Sequence, residues 1–367
     1  GGDLPTALAS PFRLRAKIQA SGDSASVDDL DIEFAGTRAS GTVKAGLKER
    51  PRVDARIRIT RIDLDALAGT PPGGAANSSA PPAGVASGPA TPAGKPSGAP
   101  GQFALPDLDA TLDLGIDALI YNRRNLRGIV VGAELVKGEA KLTKASMFLP
   151  GGGEASMTGS LASRGGRPVY VAGVSARADN FRALLEWLGV DASSVPQERL
   201  HRFTLTSQIK GDDEQLQILN SKIVLDTTQI DGALTLVLRD RPAFGATVSV
   251  DRIDVDAYLP PPGASAAQNP AKAVPPVGRA AAGPESPPST GDAGKSPLSV
   301  LNRFDANVRL RIGRLTYRKT PVQDIRFDGT VSGGALSIRN ASVADLAGMS
   351  GAIAGTLSER AGLPVFK

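Results

Sequence analysis

Two acidic motifs are the first candidates for chemistry in this sequence. RIDLDAL at 61–67 and RIDVDAY at 252–258 each carry two aspartates that are separated by one residue. Carboxylate pairs at this spacing supply oxygen ligands, which suit Mg²⁺ or Mn²⁺. The alternative is structural, because an aspartate at the end of a strand can accept hydrogen bonds from the free N–H groups of the turn that follows.

A third copy of the motif favours the structural interpretation. In RADNFRALL at 177–185, Asp179 takes the place of Asp63, and Phe181 replaces the second acid. One phenylalanine and three leucines form an apolar stripe there, which predicts a helix over 180–188 with Asp179 as its N-cap. We therefore expect the first aspartate of the motif to mark the end of a strand and to cap the turn that follows, and we do not expect a metal ion there.

The remaining candidates for catalysis are isolated residues. His201 is the only histidine, so a catalytic triad or a zinc site would have to rely on this one strand-entrance residue. GGGEASMTG at 151–159 resembles a phosphate-binding loop, but no Lys-Ser/Thr pair follows it, and a turn is the better interpretation. The chain has no cysteine and therefore no thiolate ligand. We predict a protein that is not an enzyme, with no catalytic residue, metal or cofactor.

Composition and charge limit the classes of partner that this chain could bind. The chain has 42 basic and 37 acidic residues, a net charge of +5, and only 4% aromatic residues. A nucleic-acid-binding protein would concentrate its positive charge on one face and place aromatic residues among the basic ones, whereas here the charge is spread thinly. We expect no nucleic-acid partner. No stretch approaches the roughly 20 apolar residues that span a bilayer as a helix.

Two stretches rich in Pro, Gly, Ala and Ser divide the chain. They lie at 70–100 and 260–297, and we predict both as disordered linkers, because neither can bury enough apolar surface to offset the entropy of ordering. Four β segments remain around them: a short one at 1–69, a long one at 101–200 that includes the predicted helix, a second short one at 201–259, and a second long one at 298–367.

These segments form an internal repeat. A shift of 191 residues aligns the apolar positions of the two short segments: Phe12, Leu14, Ile18 and Ile32 with Phe203, Leu205, Ile209 and Ile223. A shift of 196 residues aligns the long segments in the same way: Leu112, Leu114, Ile116 and Tyr121 with Val308, Leu310, Ile312 and Tyr317. The order of short segment, linker and long segment therefore occurs twice.

Within the segments, apolar and polar residues alternate with a period of two. This alternation predicts antiparallel strands with one apolar face and one wetted face. The strongest apolar positions are Ile57, Ile59, Leu112, Leu114, Ile116, Val248, Val250, Val308, Leu310 and Ile312. We expect an all-β, mainly antiparallel fold with a few short helices, in which repeated sheets either curl into an apolar groove, as a taco-like solenoid, or pack as a closed sandwich.

Glycine and proline recur at matching places in the segments. Four glycines precede short apolar strands, and each is followed nine or ten residues later by a proline: Gly41, Gly159, Gly232 and Gly355 by Pro51, Pro168, Pro242 and Pro364. The residues just before these prolines are charged or glycine-rich, which is typical of hairpin turns.

Three stretches carry a family resemblance. They are LRIGRLTYRKTPVQDIRFDGTVSGGALSIRNASVADLAGMSGAIAG at 310–355, its counterpart at 114–159, and RPRVDARIRITRIDLDAL at 50–67. In these patterns the chain resembles the C-terminal region of AsmA-like proteins of Gram-negative envelopes. The resemblance covers nearly all residues outside the linkers.

The resemblance implies a fold, a cellular location (the place) and a function (the task). The fold is that of a bridge-like lipid carrier, whose repeated β-sheets curl into a long groove with an apolar interior. The place is the periplasm, with the full-length protein tethered to the inner membrane by an N-terminal helix. The task is phospholipid movement in outer-membrane biogenesis, with envelope lipid and other envelope proteins as partners. This chain begins with GGDLPT and ends with LPVFK, so we expect a piece of a longer protein that contacts membranes through other parts.

Two functions follow as expectations from these observations. The first is a non-enzymatic lipid-handling protein in which the ten alternating apolar residues line a groove for acyl chains. The second is an envelope scaffold, in which dry β-sandwich units bind other proteins through their outward polar faces.

Overall fold

A computed structural model describes most of the chain outside the predicted linkers. The described residues are 12–34, 36–67, 103–121, 124–260, 299–360 and 363–367. The linker predicted at 70–100, and all but the first residue of that predicted at 260–297, lie outside them. The chain divides into two compact units: the first comprises 1–176 with 210–213, and the second comprises 177–209 with 214–367.

The first unit consists of β-strands and one short helix. Its strands are β1 (Phe12–Ala20), β2 (Ser24–Phe34), β3 (Thr37–Gly46), β4 (Arg52–Asp63), β5 (Asp109–Tyr121), β6 (Arg124–Val136), β7 (Glu139–Leu149), β8 (Gly153–Arg164) and β9 (Arg167–Ala178), whose last two residues belong to the second unit. A four-residue helix, α1 (Leu64–Leu67), follows β4 directly.

The second unit also consists of β-strands and short helices. It begins with the helix α2 (Phe181–Trp187), and 3₁₀ helices occupy Asp256–Tyr258 and Ser299–Arg303. Its strands are β10 (Phe203–Gly211), whose last two residues belong to the first unit, β11 (Gln215–Leu225), β12 (Thr228–Val237), β13 (Ala243–Asp254), β14 (Asp305–Tyr317), β15 (Thr320–Ser332), β16 (Ala335–Leu346), β17 (Met349–Arg360) and β18 (Leu363–Phe366). The predicted all-β fold with few short helices is confirmed.

The predicted repeat is also confirmed, down to the ends of the strands. The first and last residues of β1 to β4 recur 191 positions later in β10 to β13, and those of β5 and β6 recur 196 positions later in β14 and β15. Unusual backbone conformations recur too. Asp29 and its counterpart Asn220 both have φ of 51°, and Gly128 and its counterpart Asp324 have φ of 60° and 49°.

Both units share one strand topology. Within each unit, consecutive strands such as β3 and β4, or β12 and β13, pair in antiparallel fashion, whereas β4 pairs with β5, and β13 with β14, in parallel. A parallel pair needs a long connection that returns the chain to the starting end of the sheet. The two predicted linkers fall in these two connections. The short and long segments of each repeat are therefore joined side by side in one sheet.

Two-residue hairpin loops connect many of the antiparallel strands. They occur at Lys137-Gly138, Gly165-Gly166, Arg318-Lys319, Gly333-Gly334 and Ala347-Gly348, and both residues of each loop have positive φ. This geometry is that of the type I′ turn, whose twist matches that of the flanking strands. The tight turn expected in RGGRPV is among them.

The predicted helix at 180–188 is present as α2, but its predicted cap is wrong. Asn180, not Asp179, is the N-cap: it has extended φ and ψ of −133° and 86°, and its side-chain oxygen accepts a hydrogen bond from the N–H of Ala183 at 3.1 Å. An N-cap side chain must stand one residue before the first helical residue to reach this N–H group. Asp179 stands one residue too early.

The recurring glycines have a steric explanation. A Cβ atom on Gly159 of β8 would lie 2.5 Å from the carbonyl oxygen of Val171 in the neighbouring strand. The corresponding atoms on Gly41 and Gly355 would meet the carbonyl oxygens of Arg56 and Lys367. Glycine therefore permits close approach of two backbones at the same place in successive segments.

We expect Gly159→Ala to lower the free energy of unfolding of the first unit by about 1–3 kcal/mol, because the new methyl group displaces the β9 backbone. Thermal or urea unfolding measures the change. Gly173→Ala is the matched control in β9, since its Cβ would meet only the Thr158 hydroxyl at 3.7 Å. Equal effects of the two substitutions would contradict the steric explanation.

Candidate functional site

The candidate site in the first unit is one face of its sheet. Ile57 and Ile59 of β4 pair with Leu114 and Ile116 of β5, and Leu112 follows the same alternation. Side chains at directly paired positions project from the same face of a sheet. All five predicted residues of this unit therefore share one face, which we call the apolar face of the first unit.

The second unit reproduces this arrangement. Val248 and Val250 of β13 pair with Leu310 and Ile312 of β14, and Val308 precedes them in alternation. These five residues likewise share one face, the apolar face of the second unit. The structure thus brings the ten predicted residues together in two sets of five, one in each unit.

Sequence reasoning missed the continuation of both faces onto the next strand. Val131 and Ile129 of β6 pair with Leu114 and Ile116, and extend the apolar face of the first unit. In the second unit, Phe327 and Ile325 of β15 pair with Leu310 and Ile312 in the same way. The alternation of burial in these strands changes phase at Gly128 and Asp324. Strict alternation along the whole strand therefore does not reveal these residues, whereas the recurrence of the two apolar runs at a spacing of 196 could have done so.

The opposite faces of the two sheets are polar. In the second unit, Arg309 and Arg311 alternate with the apolar residues of β14, and their side chains are about 60% exposed. Arg309 lies 3.5 Å from Asp328, and Arg311 lies 3.3 Å from Asp324, both on β15. In β5 of the first unit, Thr111 and Asp113 are the exposed residues between the apolar ones. Each sheet is therefore amphipathic.

The apolar faces are only half covered. Nine of the ten predicted residues are half-buried, and Val250 is 9% exposed. Among the described residues, no large side chain is less than 2% exposed. The main contacts between described elements of each unit are those between neighbouring strands, with minor ones from α1, from α2 and from the 3₁₀ helix at Ser299–Arg303. Around the ten predicted residues, the described part of each unit thus forms one layer, with an apolar face that no second layer covers.

The acidic motif has a structural role in its second copy. β13 ends at Asp254, and the carboxylate of Asp256 accepts hydrogen bonds from the N–H groups of Arg318 and Lys319, both at 2.7 Å. Asp256 thereby fixes the β14–β15 turn, because it accepts hydrogen bonds from the N–H groups of both turn residues. The prediction named the first aspartate of the motif, whereas the second one binds the N–H groups in this copy. In the first copy, β4 ends at Asp63 and α1 begins at the next residue, as predicted for the end of a strand. No cluster of three metal-ligand side chains occurs among the described residues.

His201 belongs to a network that holds the chain between α2 and β10. Its backbone N–H and that of Leu200 donate to the carboxylate of Asp226 at 2.9 and 3.0 Å, and the Tyr258 hydroxyl donates to the same carboxylate at 2.9 Å. The His201 ring is exposed and lies 2.8 Å from the carbonyl oxygen of Gln197. The structure thus places this histidine in a loop tied down by an aspartate.

The environment shifts the pKa values of two groups in this network. Burial opposes ionisation of Asp226, but the hydrogen bonds from Leu200, His201 and Tyr258 outweigh it, so the pKa of the carboxyl is lowered. Burial, together with the hydrogen bond to Asp226, raises the pKa of Tyr258 to about 12. At neutral pH the pair is therefore a carboxylate and a neutral phenol, and its hydrogen bond is charge-assisted.

The glycine-rich stretch at 151–159 is a turn, as the sequence predicted. Gly151 and Gly152 have φ of 76° and 73° and lie between β7 and β8, which begins at Gly153. The residues that follow form a strand and not a helix, so the strand–loop–helix arrangement of a phosphate-binding loop does not occur here.

We expect Asp226→Asn to lower the free energy of unfolding of the second unit by about 1–3 kcal/mol at pH 7, because a charge-assisted acceptor is lost. A group whose folded-state pKa is depressed stabilises the fold above its unfolded pKa, and that stabilisation disappears as pH falls through the folded-state pKa. The difference between wild type and variant should be constant above about pH 5 and shrink below about pH 4. Urea unfolding across this pH range measures the difference in free energy of unfolding. A difference that grows on acidification would contradict the lowered pKa of Asp226.

We expect Asp256→Ala to lower the free energy of unfolding by about 1–2 kcal/mol, because two N–H groups of the β14–β15 turn lose their acceptor. Asp254→Ala, at an exposed position two residues earlier, is the matched control and should change it little. Chemical unfolding is measured with and without MgCl₂. A stabilisation by Mg²⁺ that Asp256→Ala abolishes would restore the metal interpretation of the motif.

Comparisons with known proteins leave the family open. None of the described helices is long and apolar enough to cross a membrane. The sequence matches no family model and no curated protein, and the fold matches no solved structure. The function must therefore be inferred from the two apolar faces themselves.

Proposed function

We propose that this chain is a non-enzymatic lipid-handling protein whose apolar sheet faces carry the acyl chains of phospholipids. The observation that carries the proposal is the apolar face of each unit, which is partly open to water and over which the described residues place no second layer. A contiguous apolar face that remains partly open to water often marks a surface that binds something.

The chemistry of the faces fits an acyl chain. The ten residues are all isoleucine, leucine or valine, and their pairing across β4–β5 and β13–β14 makes each face continuous over neighbouring strands. Each CH₂ group that leaves water for such a surface contributes about 0.8 kcal/mol. A chain of many CH₂ groups therefore binds without any specific polar contact.

The charged faces of the sheets are not suited to contact with lipid. Arginines and aspartates of β14 and β15 form ion pairs on the face opposite to the apolar one. Burying these charges against lipid would cost far more than leaving them in water. The amphipathic sheet therefore offers lipid only one face.

The compartment and process are part of the same proposal. The resemblance to AsmA-like proteins supports a periplasmic location, tethering to the inner membrane in the full-length protein, and a contribution to outer-membrane biogenesis. Phospholipid or another envelope lipid would be the ligand, and other envelope proteins would be partners.

The test replaces one leucine on each apolar face. Purified chain is incubated with vesicles that contain a phospholipid with a fluorescent acyl chain, and bound lipid is measured after separation and by native mass spectrometry. We expect Leu114→Asp combined with Leu310→Asp to reduce bound lipid by about tenfold or more, because a carboxylate on the face must be desolvated.

Matched controls place the same charge on the polar faces. Thr42 pairs with Arg56, and Ser249 pairs with Arg311, so both lie on the polar faces. The substitutions Thr42→Asp and Ser249→Asp should therefore leave lipid binding unchanged. If the aspartate variants do not fold, as judged by circular dichroism, Leu114→Ser with Leu310→Ser takes their place. A wild-type chain that binds no lipid would overturn the proposal and favour the scaffold.

A further inference from the structure

Strand β1 differs from its repeat counterpart β10 in its surroundings. All nine residues of β1 are exposed, including Phe12 at 62%, Leu14 at 53% and Ile18 at 72%. The counterparts in β10 are Phe203, Leu205 and Ile209, and all three are half-buried. The same apolar pattern is therefore shielded in one copy and open in the other.

Part of the shield in the second unit is α2 and the chain that follows it. The ring of Phe181, the first residue of α2, stacks on Phe203 with 4.3 Å between centroids and 14° between planes. The backbone N–H groups of Phe181 and Arg182 donate to the carbonyl oxygens of His201 and Leu200, both at 2.8 Å. The start of the helix is thereby attached to the residues that lead into β10.

The Arg182 side chain secures the same loop. Its guanidinium donates to the carbonyl oxygens of Ala192, Val195 and Pro196 at 2.5, 2.9 and 2.6 Å. A guanidinium presents several N–H donors in a fixed plane, so one arginine can hold several carbonyl groups of a loop at once.

Two residues that precede β1 resemble residues of this loop. The shift of 191 residues that aligns β1 with β10 also aligns Leu4 and Pro5 with Val195 and Pro196. The first unit therefore contains counterparts of these two loop residues as well as of the strand. No helix among its described residues packs on Phe12 as α2 packs on Phe203.

We propose that β1 is a docking surface for a strand–helix segment of the kind found at 167–191, supplied by another β repeat. The partner has two chemical requirements: an extended stretch that can add to the exposed strand, and an aromatic residue in the first helical turn that stacks on Phe12. Exposed edge strands accept added strands through their free backbone groups. This inference does not depend on lipid carriage.

The test supplies a segment of this kind to the intact chain. A second copy of residues 167–191 is fused directly before Gly1. Because the repeat offset is 191, Gly1 then follows the graft just as Ala192 follows Asp191 in the chain. Hydrogen exchange of the β1 amides is compared with and without the graft. We expect the exchange of β1 to slow by about tenfold or more, with β10 unchanged, because a docked strand and helix protect edge amides.

Two altered proteins make the test specific. The same graft with Phe181→Ser in its helix should lose most of the protection. Phe12→Ser in the chain should do the same, and since this side chain is largely exposed, the substitution leaves the fold intact. Unchanged β1 exchange with the unaltered graft, or equal protection by both grafts, would overturn the proposal.

Discussion

The structure depends on the register of its strands. In a sheet whose two faces differ, a slip of one residue would turn every apolar side chain of a strand to the wetted face. The pairings of Ile57 with Leu114, and of Val248 with Leu310, keep the apolar residues of neighbouring strands on one side. Because the described part of each unit is one layer, no second sheet corrects an error, so the register itself creates the surface to which we assign lipid binding.

Several local structural features maintain this register. Glycines such as Gly159 allow adjacent backbones to approach closely, and two-residue loops with positive φ set the pairing of hairpins. Asp256 holds the β14–β15 turn by its N–H groups, and Asp226 holds the loop before β10. The close approach of backbones at the glycines and the hydrogen bonds of Asp256 give structural reasons for residues that recur in the sequence. These residues shape and fix sheets that each have one apolar face.

Much of the fold could be predicted from the sequence, because its determinants are local or repeated. Alternation with a period of two identified the strands around Leu114 and Leu310, and the shifts of 191 and 196 residues identified equivalent strands. The helix cap was predicted at Asp179 but lies at Asn180, since the pattern of apolar residues cannot fix a helix end to one residue. The apolar residues of β6 and β15 were missed because their alternation changes phase at Gly128 and Asp324, where φ is positive.

The sequence by itself determined which residues are apolar on alternate positions, where the chain turns, and that one pattern occurs twice. These properties depend on neighbours along the chain, so they are visible in the order of the residues. Only the tertiary structure decided which strands lie side by side, that β4–β5 and β13–β14 pair in parallel, and that the two groups of five residues each form one continuous face. Such pairings join residues that are up to about 60 positions apart, and hydrogen bonds between strands fix them.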